Sequence, residues 1–372
     1  MTRGKGITRR KFLGMSAAGV AAVTIADAVL APKTAYGYVN KDQINPNIGN
    51  TRVVFINDPA MTFGPELPET WAEQNDGVNE AATALNIDKM ARALAQTADT
   101  NAAWRQIFLK PASKNWNAVI AAIKTNNIAE QHTRNAIMKK ICEVLVNVMG
   151  VTGSNIHIYD GCHGYNMTST TPFFNLPAGV IMEKTWGGSN TPVSVPAPWS
   201  RSTNCVQSIA NGTVDILINI AMCKGHDSPF GGFTMCMKNH YGTFSPDNHS
   251  NIYEIIGINK TEAILGRMDA TTGRIIFPRQ QLCLVDALWA SQPGPGGPPT
   301  ARSNRMFMGT FAPVLDYLVA KRFRLGAMGW SINTTPTNRL LSDFGYTEAD
   351  IVNGAQMIDA GTWSGIRGWQ AY

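Results

Sequence analysis

The run NAVIAAIKTNNIAEQHTRNAIMKKICEVLVNVMGVTGSNIHIYDG, residues 117–161, carries the reading that decides the fold. NAVIAAIKTNN (117–127) is an apolar run of strand length that ends in a polar turn. TRNAIMKKICEVLVNVMG (133–150) sets apolar residues at helical spacing and stops at Gly150, a residue type that closes helices. NIHIYDG (155–161) alternates like a strand. Strand, helix and strand with short joints are the mark of a βαβ unit, whose two strands lie parallel in one sheet.

The rest of the chain extends that pattern. TRVVFIN (51–57) reads as an earlier strand and residues 79–98 as a helix. VDILINI (214–220) and QLCLVDAL (281–288) read as buried strands. IYEIIGINKTEAILGRM (252–268), FAPVLDYLVAKRF (311–323) and part of TPTNRLLSDFGYTEADIV read as helices. SQPGPGGPPT (291–300) excludes regular structure through its glycine and proline content. Residues 162–203 read as a loop-rich insertion with a strand near AGVIMEK. No internal repeat is present. The expected fold class is α/β: residues 38–372 form a single large domain with a mostly parallel or mixed central sheet flanked by helices.

The first 37 residues read as a targeting segment. Arg9 and Arg10 stand side by side ahead of an apolar, small-residue run, and Ala35 and Gly37 give the spacing that signal peptidases accept. The arginine pair marks a twin-arginine signal. It predicts the twin-arginine translocase as a partner during export and a periplasmic or extracellular protein. Asp27 and the glycine and alanine content make the run a poor membrane span, so no permanent span is expected after cleavage. Of the formal +6, residues 1–37 carry +5 and the remainder +1, so the basic pI does not point to nucleic acid. The six cysteines include no C-x-x-C pair, which argues against a built-in iron–sulphur or zinc-ribbon motif.

The reactive side chains gather in AMCKGHDSPFGGFTMCMKNHYGTFSP, residues 221–246, which holds Cys223, Lys224, His226, Cys236, Lys238 and His240. The stretch follows the strand VDILINI, and ligands of open α/β sheets collect beyond the carboxyl ends of strands. In an extended backbone Lys224 and His226 face the same way. Cys236 and His240 share a face whether the second half is strand or helix. The DSPFGG turn between the halves folds Lys238 back towards Lys224. Three chemistries fit. A transition metal suits His226, His240 and Cys236, which are soft-to-borderline ligands. An anion suits Lys224 and Lys238. Acid–base catalysis suits His226 beside a lysine-held substrate. Against these, Cys223 and Cys236 can form a plain disulfide across the turn, and a cysteine in an apolar run is ordinarily a small buried hydrophobe.

Other strand ends repeat the arrangement. Lys124 and Asn126 follow one strand, Asp160 and His163 the next, and Asp286 stands at the polar end of LVDAL. If the strands are parallel neighbours, Lys124, Asp160, His163, Lys224, His226 and Asp286 meet on one rim. The candidate catalytic residues are therefore Lys224, His226 and Lys238. The candidate ligand-binding residues are Lys124, Asn126, Asn239 and Asp286.

Ile218-Asn219 with Lys224 and His226, Lys238-Asn239 with Gly242, the earlier IKTN and the later LVDA with GPGG together resemble family 362 of the domains of unknown function, over residues 117–325. That resemblance implies no settled activity. Family members that travel by the twin-arginine route or carry ferredoxin-type modules imply redox company, hence a redox partner protein. The chain departs from the pattern in GTFAPVLD (309–316): Phe311 and Ala312 stand where an acidic residue and a proline are expected, although Asp316 is kept. The functional expectation is an exported, redox-associated enzyme or a cofactor- or metal-binding protein. The alternative is a non-catalytic binder of a small anionic ligand, or an accessory subunit of a redox complex.

Overall fold

The computed structural model describes residues 38, 41–128, 130–161, 173–183, 185–245, 251–354 and 357–364. The targeting segment and the turn holding Cys162 and His163 lie outside them. Eight strands form the central sheet: β1 (Val53–Asn57), β2 (Ala121–Lys124), β3 (Ile156–Tyr159), β4 (Ile181–Glu183), β5 (Ile216–Met222), β6 (Gln280–Ala290), β7 (Ala301–Gly309) and β8 (Met357–Asp359). Their order across the sheet is β8-β1-β7-β6-β5-β2-β3-β4. Every neighbouring pair is parallel except those of β7, which runs against both β1 and β6. The reason is local. β6 and β7 are joined by the short glycine- and proline-rich loop 291–300, and a short loop can only return the chain antiparallel.

Alternation along each strand divides the core into two layers. Val54, Ile56, Ile123, Ile158, Ile218, Leu284 and Met308 point to one face, where helix α1 (Glu80–Ala95) and helix α2 (Asn135–Glu143) cover them. Val53, Phe55, Ala122, Leu217, Ala221, Val285 and Phe307 point to the other. Strands covered on both faces run mostly apolar, and 216–222 and 280–290 are buried throughout, with Asn219, Gln280, Gln281 and Asp286 as their buried polar residues. Each such Ile, Leu or Val contributes about 1.5–3 kcal/mol relative to exposure. Helix α2 runs on as a wider turn through Val144–Met149 and stops at Gly150, whose φ of +81° is open to glycine at little cost.

The connections place the site. From β2 the chain moves outward to β3 and β4, then returns to lay β5 along the opposite flank of β2, and continues outward to β6. Neighbours β2 and β5 therefore send their chains in opposite directions. Such a switch point opens a crevice beyond the carboxyl ends of the two strands. Among the described residues, no helix is long and apolar enough to cross a membrane.

Residues 252–268 are mostly helical, as expected, in helices Ile252–Asn259 and Glu262–Leu265, and close on strand Gly266–Met268. One expectation needs correction. Asp286 does not stand at a strand end, because β6 continues to Ala290.

Candidate functional site

A cavity of about 330 Å³ occupies the crevice between β2 and β5. Lys124 enters from the last position of β2, and Asn126 and Ile128 from the turn after it. Asp160 and Gly161 follow β3. Lys224 and His226 follow β5, where Lys224 and Gly225 pair antiparallel with Thr234 and Phe233. Lys238 and Asn239 come from the short helix α3 (Cys236–Asn239), with Tyr241 and Gly242 just beyond. Pro295 reaches in from the loop between β6 and β7. Lys124, Asn126, Lys224, His226, Lys238 and Asn239, separated by up to 115 positions in the chain, thus share one chamber.

The polar network is specific. Lys124 Nζ donates to Asp160 Oδ1 at 2.9 Å, to Asn239 Oδ1 at 3.1 Å and to the Thr125 carbonyl oxygen. Asn239 Nδ2 donates to Asn219 Oδ1 at 2.9 Å and to the Ile220 carbonyl at 3.2 Å, which fixes its amide so that Oδ1 faces Lys124. Asn126 Nδ2 donates to the same Oδ1 at 3.4 Å, and Asn126 Oδ1 accepts from Lys224 Nζ at 2.9 Å. Lys224 Nζ also donates to the Ile128 carbonyl at 3.0 Å. Lys238 Nζ lies 4.8 Å from the ring centre of Phe230 and 4.9 Å from that of Tyr241, within cation–π range. His226 Nδ1 accepts the Asp227 N–H at 2.7 Å, so the neutral ring carries its proton on Nε2.

Charge is unbalanced in this chamber. Among the described residues that line it, three are lysines and one, Asp160, is a carboxylate, and Lys124 already engages that carboxylate. Burial pushes Lys224 down to about 7, with the Arg134 guanidinium adding to the effect and Asp160 and Asp286 opposing it. Burial likewise pushes Lys238 down to about 7, opposed by Asp227.

Two glycines let the walls meet. A side chain on Gly161, whose φ is +121°, would lie 1.7 Å from the Gly242 carbonyl oxygen. One on Gly242 would lie 2.8 Å from Lys124 Nζ. Neither position accepts a Cβ without moving Lys124 or its neighbours.

The proposed metal set does not assemble. His226 lines the chamber, but His240 lies behind it, fully buried, with Nε2 donating to Gln280 Oε1 at 2.6 Å and Nδ1 accepting from the Thr243 hydroxyl at 3.0 Å. Burial pushes His240 down to about 3, so it stays neutral. Cys236 is buried with its thiol against the Leu284 carbonyl at 3.6 Å, and burial raises its pKa. Among the described residues no group of three or more His, Cys, Asp or Glu could hold a metal ion. Cys223 and Cys236 are both free thiols, which removes the disulfide reading.

Asp286 also leaves the set. It forms a fully buried ion pair with Arg134, Nη1 to Oδ1 at 3.2 Å, and accepts the Arg134 N–H at 3.1 Å and the Leu288 N–H at 3.1 Å. Its work is to tie the start of α2 to β6.

Sequence reading passed over Arg134 and Gly161 and met Gly242 and Asp316 only as parts of the family pattern. Asp316 is the most instructive. Its carboxylate accepts the N–H of Cys236 at 3.0 Å and of Met237 at 2.7 Å, anchoring the turn that presents Lys238 and Asn239. Burial pushes Asp316 up to about 7 against those hydrogen bonds. The departure at Phe311 is apolar packing: its ring lies 5.6 Å from Tyr38 and 5.5 Å from Phe344. A second cavity of about 680 Å³, lined by Ser228, Gln292, Ser331 and Asn333 among others, shares His226 with the first.

A family model described as Domain of unknown function (DUF362) matches residues 121–321, more than half of the chain. That span contains every residue of the chamber. No curated protein and no solved structure matches the chain.

Proposed function

The chain belongs to the DUF362 family, and from that premise we propose that the chamber between β2 and β5 takes a small anionic molecule. The observation that carries this is the charge imbalance: Lys124, Lys224 and Lys238 line one cavity of about 330 Å³ with a single carboxylate among them. Lys224 meets only neutral acceptors among the described residues; burying such a cation costs several kcal/mol, and an anion recovers part of that cost. The switch-point position supports the same reading, since the open crevice admits a molecule from solvent. The chemistry of the donors suits carboxylate or phosphate, which accept hydrogen bonds from ammonium groups. The test is calorimetric titration of the purified chain with sodium sulfate and with small carboxylates, alongside the Lys238→Met variant. Saturable binding that the variant loses supports the reading. Absence of binding by every anion, with the wild-type protein folded, sinks it.

We further propose that the protein is exported by the twin-arginine route. Arg9 and Arg10 ahead of the weakly apolar run support this. Replacing both with lysine should leave precursor in the cytoplasm, as read by fractionation and immunoblotting. Normal export of that double variant overturns the route.

A further inference from the structure

We propose that Lys224 is a carbonyl-capturing amine, and that the anion taken by the chamber is a short oxo acid whose carbonyl carbon forms a Schiff base with Nζ while Lys238 holds its carboxylate. This rests on the anion-binding reading above and adds a covalent step to it.

A lysine ammonium has three N–H donors and no lone pair, whereas the neutral amine has two N–H donors and one lone pair. Lys124 Nζ meets three acceptors, one of them the charged Asp160 carboxylate, which suits an ammonium. Lys224 Nζ meets two, Asn126 Oδ1 and the Ile128 carbonyl, and both are neutral. Its ion-pair range contains no carboxylate among the described residues. Those two acceptors saturate a neutral amine and leave its lone pair over. The two lysines stand at the ends of neighbouring parallel strands, yet the fold provides one with a counter-charge and the other without.

Electrostatics acts in the same direction. The side chain is fully buried, and Arg134 and Lys238 both disfavour a second positive charge beside them. Asp160 and Asp286 favour it, but each is already paired, with Lys124 and Arg134 respectively. A desolvated lysine beside other cations is the usual setting of an amine nucleophile. Lys238 and His226 line the same cavity and complete the site.

The step balances. The Nζ lone pair bonds to the carbonyl carbon as the C=O π pair moves to oxygen, which takes a proton. The carbinolamine then expels that oxygen as water with a second proton. The two hydrogens that leave nitrogen equal the two carried away in the water, so the step consumes and releases no net proton. No oxidant or metal is required.

The experiment uses the full chain with glyoxylate and sodium cyanoborohydride, which reduces an imine to a stable amine, followed by proteolysis and mass spectrometry. The expected result is a carboxymethyl group on Lys224 that is absent in Lys224→Arg and increases as pH rises through about 7. Propionaldehyde, which lacks the anionic end, should label Lys224 about tenfold less, the value of one charge-assisted hydrogen bond. Labelling spread over surface lysines with Lys224 unmodified overturns the proposal. Sulfate titration separates the two readings. Sulfate binding without Lys224 labelling leaves the anion site standing and removes the Schiff base. Equal labelling of Lys224 by both aldehydes, with no sulfate binding, leaves the amine and removes the oxo acid. The wild-type labelling pattern needs no variant to fold.

Discussion

At the residue scale, Lys124 and Lys224 show how one residue type takes two roles. Both are buried at strand ends, but among the described residues Lys124 has a carboxylate partner and Lys224 does not. Lys124→Met strands Asp160 as an uncompensated, nearly buried charge, and breaking such a pair costs about 3–5 kcal/mol. Lys224→Met removes an amine held only by Asn126 and Ile128. Losing those two hydrogen bonds leaves two acceptors unmet, and removing a group that burial disfavours offsets part of that, so stability should fall by about 1–2 kcal/mol, less than for Lys124→Met. Chemical denaturation of the two variants makes the comparison. Equal, large losses in both would mean that Lys224 is scaffold.

At the element scale, the four-residue helix α3 depends on a partner outside itself. A helix this short cannot persist on propensity alone. Asp316, from helix α4 (Ala312–Leu318), supplies the acceptor for its first two N–H groups. Asp316→Ala should therefore leave two buried donors without an acceptor, at about 1–3 kcal/mol each. It should also loosen Lys238 and Asn239, so that sulfate affinity falls together with the melting temperature. Asp316→Asn keeps one carbonyl oxygen in place and should fall between the two. An alanine variant with unchanged anion affinity would show that α3 is held by its packing instead.

For the whole molecule, the switch point gathers lysines whose charge depends on pH. Lys224 and Lys238 both have folded-state values pushed down to about 7 from the ordinary 10.5. Between those limits the unfolded chain binds more protons than the folded one, so these groups make the empty protein gain stability as pH rises from about 7. Noncovalent anion binding runs the other way, because an anion prefers the protonated lysines. Sulfate, whose own charge is constant in this range, should bind more weakly at pH 8.5 than at pH 6, as measured by calorimetry. A pH-independent affinity would assign the binding to other groups. Where sulfate binds, a concentration one hundred times its dissociation constant adds about 2.7 kcal/mol to stability, visible as a raised melting temperature.

Apolar periodicity alone determined the α/β class, the βαβ unit of residues 117–161 and the buried strands at β5 and β6, because burial on both faces favours apolar residues along most of each strand. Lys124, Asn126, Lys224 and His226 were legible because polar residues directly after apolar strands mark the rim of such a sheet, and Lys238 and Asn239 because the glycine turn at 231–232 folds them back towards Lys224. What gave Lys124 a carboxylate and Lys224 two neutral acceptors, drew Asp286 away to Arg134, and turned His240 and Cys236 into buried structure was decided only in three dimensions. Local spacing shows which residues share a strand or a face. It carries no term for which carboxylate, up to 152 positions away, reaches a given cation first, and that choice follows from strand order, from burial and from the close approach of Gly161 to Gly242.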